Sequence, residues 1–312
     1  MYYPYLRGRQ FELIALREYA LQRGDNNNII PIIEPVKNTF NSMKLALPKL
    51  IEGDVKFALI LNPQVGEINN TQEITDTLHE ELADLSKWIP AYIVSNNYNA
   101  IASEITESIY TDVLLICSGE TDSSDVDFDN LVSLPSVKYI VSTENKTLKR
   151  KLKDSGKELI RLDDNFKAQK RNSDYLLITE EKFSEKHLFY IEDGYSGFSD
   201  YTVLVSVYLE GGMPPYEVAI HLTFQKDNNE IWIRHFTSNT NNGRSNIQGK
   251  FAQAAEKAVT FLNAKNIHNF ATGELRDYYD RGSYPGLGMM KKISIKNHLE
   301  LMNDVLKSMS NY

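Results

Sequence analysis

The residues best placed to do chemistry in this chain are polar side chains that each follow directly on a short apolar run. Arg7 and Arg9 follow the first run, Glu34 the second and Asn62 the third. Asn96, Ser118, Glu120 and Glu144 end later runs, then Asp163 with Asp164, and finally Glu192 with Asp193. If the runs are parallel strands of one closed sheet, these positions converge on a single mouth. Carboxylates gathered there from separate strands would offer the oxygen ligands that Mg²⁺ or Mn²⁺ takes. Arg7 and Arg9 would clamp a phosphate, which completes the equipment of phosphodiester hydrolysis. The plainer account is that polar residues end most strands and cap the helices behind them. Glu34 and Asp193 follow strongly apolar runs and would carry a burial cost unless paired, and a salt bridge to Arg7 or Arg9 explains them as well as a ligand does.

A second candidate lies in two apolar runs, 218–224 and 231–236, joined by a polar turn around Asp227, Asn228 and Asn229 that favours a hairpin. If Phe224 pairs with Ile231, then Ile220, Leu222, Phe224, Ile231 and Ile233 share one face and His221, Thr223, Trp232 and Arg234 the other. His221 and Arg234 would then lie opposite each other, as an acid or base, as an anion site, or as a solvated surface. Trp232 and Tyr216 beside them would stack a base or shield the hairpin.

Other chemistries have little to stand on. The single cysteine, Cys117, has no neighbouring histidine and reads as a small buried residue. There is no Gly-Lys-Ser/Thr phosphate loop, Gly286-Leu287-Gly288 is too short for a dinucleotide fingerprint, and the scattered histidines give no zinc spacing. The basic run 146–153 reads as a helix face in solvent.

The elements that must position these residues alternate along the chain. Apolar runs at 2–6, 29–33, 57–61, 91–94, 113–116, 137–141, 158–162 and 188–191 read as eight strands. Amphipathic stretches follow most of them, among them one with Phe11, Leu13, Ile14, Leu16 and Tyr19 and one that Pro48 should kink or split. Strands buried on both faces and alternating with helices argue for a parallel sheet, and eight is the number that closes a barrel. The expected architecture is a TIM-barrel-like (β/α)8 fold over 1–312, with an inserted β-hairpin and loops (195–246) after the eighth strand and a C-terminal helical extension (270–312). An open doubly wound sheet is the alternative. Gly211, Gly212, Pro214 and Pro215 mark a connecting loop, 239–246 is a polar loop, and Phe251 to Leu262 make a helix able to serve as the eighth of the barrel. Ile295, Leu299, Met302 and Leu306 give a terminal helix that Ser294 would cap.

Composition limits the partners. The formal net charge of −8 opposes wholesale attraction to nucleic acid or anionic lipid, although a local basic patch stays open. A polar N-terminus without a long apolar run leaves neither leader nor membrane span to expect, so the protein reads as cytoplasmic.

The opening YYPYLRGRQFELIALREY, followed by IIPIIEPV, resembles the start of the beta protein family of phages and bacteria, and GFSDY…GGMPPYEVAIHLTF…IWIRHF resembles a late block of a bacterial subfamily. Together they cover about a quarter of the chain; the rest matches in layout only. The family carries no settled activity. Its occurrence in phages and near phage-defence genes, often beside a second conserved gene, implies a part in phage and host conflict. The first functional expectation is therefore a component of a phage-defence or mobile-element system that binds a partner protein or ligand through the barrel mouth and hairpin. The partner would be a second protein encoded nearby, with nucleic acid or nucleotide possible and no membrane. The alternative is a hydrolase of nucleotide or phosphodiester substrates, which alone would require Mg²⁺ or Mn²⁺.

Overall fold

The computed structural model describes residues 1–68, 71–211, 216–239, 243 and 245–309. The expected loop residues 212–215, and half of the polar loop 239–246, lie outside the described residues. The chain forms two compact units, one made of Met1–Arg9, Asn28–Asp163 and Phe189–Asp200, the other of Gln10–Asn27, Asp164–Leu188 and Tyr201–Tyr312. No helix among the described residues is long and apolar enough to cross a membrane.

The first unit is an eight-stranded parallel sheet, nearly closed into a barrel and flanked by helices, as in a TIM barrel. Its first seven strands come at regular intervals: Tyr5–Leu6 (β1), Ile32–Ile33 (β2), Phe57–Ile60 (β3), Trp88–Val94 (β4), Val113–Cys117 (β5), Val137–Ser142 (β6) and Glu158–Asp163 (β7). Strand Glu180–Ser184 (β8) belongs to the second unit, and Gly197–Asp200 (β9) is the eighth barrel strand. Every residue of β2 to β5 is buried, as parallel strands covered on both faces require. The sheet curls until its ends meet: Tyr2 bridges both Ile29 and Phe198, and the Tyr3 N–H donates to the Phe198 carbonyl at 2.8 Å. That seam excludes the open doubly wound sheet.

Tyr3 shows which side chains face the lumen. Its ring lies 6.4 Å from that of Tyr139, although β1 and β6 are not neighbours in the sheet, so the two rings meet across the interior. Alternation then points Tyr5, Arg7 and Glu34 inward with them. The Tyr3 ring also explains the glycine opposite it. A Cβ on Gly197 would stand 2.6 Å from Tyr3 Cε2, and the next inward side chain, Ser199, is small and donates its hydroxyl to the Tyr3 carbonyl at 2.5 Å.

This arrangement corrects the expected eighth strand. Residues 188–191 are not a strand; a short helix, Lys186–Phe189, leads into a turn. His187 and Tyr190 are buried three residues apart while Ile191 is exposed, which is helical rather than alternating burial. The true eighth strand was invisible as an apolar run because its inward positions are glycine and serine, with the bulk supplied by Tyr3. Pro48 neither splits nor ends its helix, which runs unbroken from Asn41 to Glu52.

In the second unit Ala219–Gln225 (β10) and Ile231–Thr237 (β11) form the expected hairpin, and β8 joins β11 to make a three-stranded antiparallel sheet. The register differs from the expected one: Phe224 pairs with Trp232 and Gln225 with Ile231. The cause is the turn. Lys226 donates to Glu230 at 3.0 Å across the three residues 227–229, and Asn229 takes the left-handed conformation (φ +64°) that such a turn uses. A one-residue slip turns every side chain of one strand to the other face. Ile220, Leu222 and Phe224 therefore share a face with Trp232, Arg234 and Phe236, and His221 and Thr223 share the other with Ile233 and His235.

The first of these faces packs against helix Ile247–Ala264 through Phe251, Ala254, Ala258 and Phe261, and against Ala271, Leu275, Met290 and Ile293 from the two helices that follow. Helix Ile247–Ala264, read from sequence as able to complete the barrel, thus covers the hairpin sheet of the second unit. The last helix, Leu287–Met309, is buried on all sides from Lys292 to Glu300 and starts well before Ser294, which is not a cap. Lys292 is fully buried, and its ammonium is held by Glu18 at 2.9 Å and by Glu274.

Gly197→Ala should cost about 1–3 kcal/mol, since the added methyl must displace the Tyr3 ring or the seam strand. A urea midpoint equal to that of the parent protein would show that the lumen yields there.

Candidate functional site

The lumen-facing end of β1 and β2 carries the first group of nominated residues. Glu34 is fully buried and accepts from the Arg7 guanidinium, from Tyr5 Oη at 2.7 Å and from the Gln64 backbone N–H at 2.9 Å. Arg7 also lies over the Tyr5 ring, its guanidinium carbon 4.9 Å from the centroid. The approach is close because Gly8 turns with φ +61° against the Glu34 carbonyl, from which an added Cβ would stand only 2.9 Å. Arg9 follows, half-buried. Asn62 does not face a ligand. Its side chain grips the backbone of Ile93 in both directions, accepting from the N–H at 2.7 Å and donating to the carbonyl at 2.9 Å. The Gln64 side chain then donates to the Asn62 carbonyl at 2.7 Å, so one hydrogen-bonded chain ties β1, β2, the loop after β3 and β4 together.

Asp163, Glu144 and Asp193 do converge, but on an arginine. Arg161 sits one position from the lumen-facing Leu162 on β7 and therefore points to the outer face, as does Asp163. Its guanidinium reaches Asp163 at 2.9 Å, Glu144 at 3.3 Å and Asp193 at 3.7 Å. Burial opposes the charge, yet the Asp163 hydrogen bond and the nearby carboxylates outweigh it and raise the arginine pKa. Asp163 is thus not part of a lumen-facing ring, and Glu192 and Asp193 sit in the turn after Phe189 rather than at a strand end. Among the described residues no group of three or more His, Cys, Asp or Glu could hold a metal ion. Of the carboxylates proposed for Mg²⁺ or Mn²⁺, Glu34 is held by Arg7, and Glu144, Asp163 and Asp193 are held by Arg161.

The hairpin pair is also rearranged. Arg234 does not face His221; it stands across from Leu222, bound to Glu180 at 3.0 Å and stacked on Phe261. Its strand partner His235 faces His221 instead, Nδ1 to Nδ1 at 2.7 Å. Both imidazoles lie against the rings of Phe166 and Tyr175. A hydrogen bond between two Nδ1 atoms requires one ring to donate and the other to accept, which two neutral imidazoles of opposite tautomer satisfy. Glu181 lies 3.6 Å from His235 Nε2, which suits a proton there and makes His221 the donor between them. Burial, then the neighbouring His235, push the His221 pKa well below 6.5. The polar pair is therefore an internal contact of the sheet. Trp232 donates to Glu230 at 2.9 Å and lies under the Lys226 ammonium, while Tyr216 is exposed. Burial drives the Cys117 thiol up to about 12, the behaviour of a packing residue.

One concave feature went unread in the sequence. A cleft of about 590 Å³ in the first unit is lined by Lys146, Lys149, Arg150, Lys153 and Lys157, with Gly194 and Ser196 on its far wall. The basic run was visible, but its opposite wall is some forty residues further on, so nothing in the run itself marked a concavity.

Two outcomes test these assignments. Glu34→Ala should lower stability by about 3–5 kcal/mol, because Arg7 is left largely buried without its counter-ion, and Arg7→Met combined with Glu34→Leu should lose much less; equal losses in urea unfolding would refute the pairing. For the histidines the folded pKa lies below the unfolded value, so the unfolded chain takes up protons first. Stability present above about pH 6.5 should then fall as the pH drops below it, with a shallower slope in His221→Gln. An unchanged slope in that variant would place the pH dependence elsewhere.

Comparison with protein-family models, with curated proteins and with solved structures found no match.

Proposed function

We propose that this protein is a binding component that works together with a second protein, in the phage and host conflict that the sequence resemblance implies, and not a stand-alone hydrolase. The observation that carries this reading is a contrast in how the two kinds of side chain are used. The charged residues at the strand ends are spent on one another, as Glu34 with Arg7 and three carboxylates with Arg161. Large apolar side chains of the second unit are instead left to solvent. Leu177 is 91% exposed, Val207 64% and Leu209 63%, with Leu176 and Tyr216 each half exposed. The segment carrying Leu176 and Leu177 is fastened next to Tyr216 where Asn172 donates to the Glu217 carbonyl at 2.7 Å. Scattered exposed apolar residues are ordinary, but two adjacent leucines in a segment fastened next to an exposed tyrosine fit a surface that another protein covers.

The hydrolase reading asks for carboxylates free to share a cation with a phosphate clamp beside them. Arg7 and Arg9 are the nominated clamp, and the Arg7 guanidinium is already engaged by Glu34.

Purification of the tagged native complex from its own host should recover one protein in near-equal amount. Leu177→Asp should release it while leaving the unfolding midpoint within about 0.5 kcal/mol of the parent, as surface changes do. Recovery of the same protein by the variant would remove this surface from the proposal. Recovery of nothing by either would remove the partner.

A further inference from the structure

The cationic cleft of the first unit is the feature for which neither the fold nor its salt bridges account. Its lining sets five cations, Lys146, Lys149, Arg150, Lys153 and Lys157, against a single carboxylate, Asp154, in a chain whose net charge is −8. Elsewhere in this unit Lys37, Lys49, Lys87 and Lys138 each face a carboxylate. The same helix shows the difference within one turn. Lys151, which does not line the cleft, is bound to Asp129 and the Ser123 carbonyl, whereas Lys146, Lys149, Arg150 and Lys153 form no salt bridge with the described residues. Like charges held together without counter-ions destabilise a fold, and an anionic ligand would relieve that repulsion.

Two of the cations are placed by their surroundings. Gly194 has φ +76°, and a Cβ there would stand 3.1 Å from Lys149 Cε, so the glycine lets the lysine stem lie along the wall. The Lys149 ammonium then rests 5.0 Å from the centre of the buried Tyr195 ring. Lys157 donates to the carbonyls of Leu134 at 2.8 Å and Val137 at 2.6 Å, which fixes its charge. Leu152 and Leu159 supply apolar surface between them.

We propose that this cleft binds a nucleotide-sized ligand carrying at least two phosphate groups, such as a nucleoside diphosphate or triphosphate. The volume of about 590 Å³ falls within the range of small-molecule sites. A terminal phosphate carries about −1.5 to −2 at neutral pH and each inner phosphate of a nucleotide adds about −1, so a diphosphate or triphosphate is needed to approach the excess of cations. Lysine ammonium groups act on phosphate as point charges and adapt to a flexible chain of phosphates, while the leucine surface suits the face of a base. A single-stranded polynucleotide fits less well. It calls for a basic track with aromatic stacking platforms, and here the cations gather in one cleft with no aromatic residue in its described lining, while Tyr195 is covered by Lys149. The proposal does not rest on the partner reading and stands or falls separately from it.

Binding is measured by titration calorimetry on the full chain with ADP, ATP, inorganic pyrophosphate and a single-stranded oligodeoxynucleotide, at low and physiological salt. ADP or ATP should bind the parent protein, more weakly as salt rises. Arg150→Glu with Lys153→Glu, both solvent-exposed and checked by circular dichroism for an intact fold, should bind about ten-fold more weakly or worse, and pyrophosphate should trail ADP by a similar factor, since it lacks the apolar body. No nucleotide binding to the parent, equal affinity in the charge-reversed variant, pyrophosphate as tight as ADP, or an oligonucleotide tighter than ATP would each overturn the proposal.

Discussion

The first unit depends on one seam, the meeting of its first and last strands. A parallel sheet can stay open, with helices over both faces and two unsatisfied edges, or it can curl until the edges pair. Here the backbone of Tyr2 and Tyr3 meets that of Phe198, and closure brings inward side chains of non-adjacent strands into contact. Glycine at 197 and serine at 199 give way so that Tyr3 can cross to Tyr139. The outer face of the seam is equally occupied, with Tyr2 stacked on Phe198 and donating to Asp200 at 2.6 Å. Burial drives the Tyr2 hydroxyl pKa well upward, and the Asp200 charge adds to it, so that hydroxyl stays a donor.

Closure also decides the fate of the charged residues. A carboxylate carried into a barrel interior loses its hydration and must be repaid by a fixed partner. Glu34 finds three donors, and Arg161 on the outer face finds three acceptors. Groups so committed orient the loops around them. The lysines of the cleft are the reverse case. They form no salt bridge with the described residues, so their charge stays available to an anion.

The second unit buries polar groups for a related reason. Its last helix is enclosed from Lys292 to Glu300, so side chains that would normally reach water must find partners inside. Lys292 takes Glu18 and Glu274, Asn297 donates to the Thr223 carbonyl at 2.9 Å, and His298 meets the Thr223 hydroxyl at 3.0 Å. These contacts fix how the helix lies against β10, on the face that also holds the His221 and His235 pair. A satisfied polar network of this kind specifies one packing where apolar side chains alone would tolerate several.

The sequence by itself determined what local periodicity encodes: seven apolar strands alternating with helices, the parallel sheet they imply, the hairpin turn, and the fact that Glu34 needed a partner, with Arg7 among the two named for it. It could not determine what depends on groups far apart in the chain. The eighth strand was misplaced because its inward bulk comes from Tyr3, nearly two hundred residues earlier. The face of His221 was misjudged because the left-handed Asn229 shifts the register by one residue. Asp163 and Asp193 were assigned to a mouth, though Arg161, only two residues from Asp163, draws both to the outer face. The cleft escaped notice because concavity arises between segments, here the basic helix and the strand approach at Gly194, that only the tertiary structure sets side by side. Burial and pairing are properties of three-dimensional neighbours, and linear order records only the neighbours along one element.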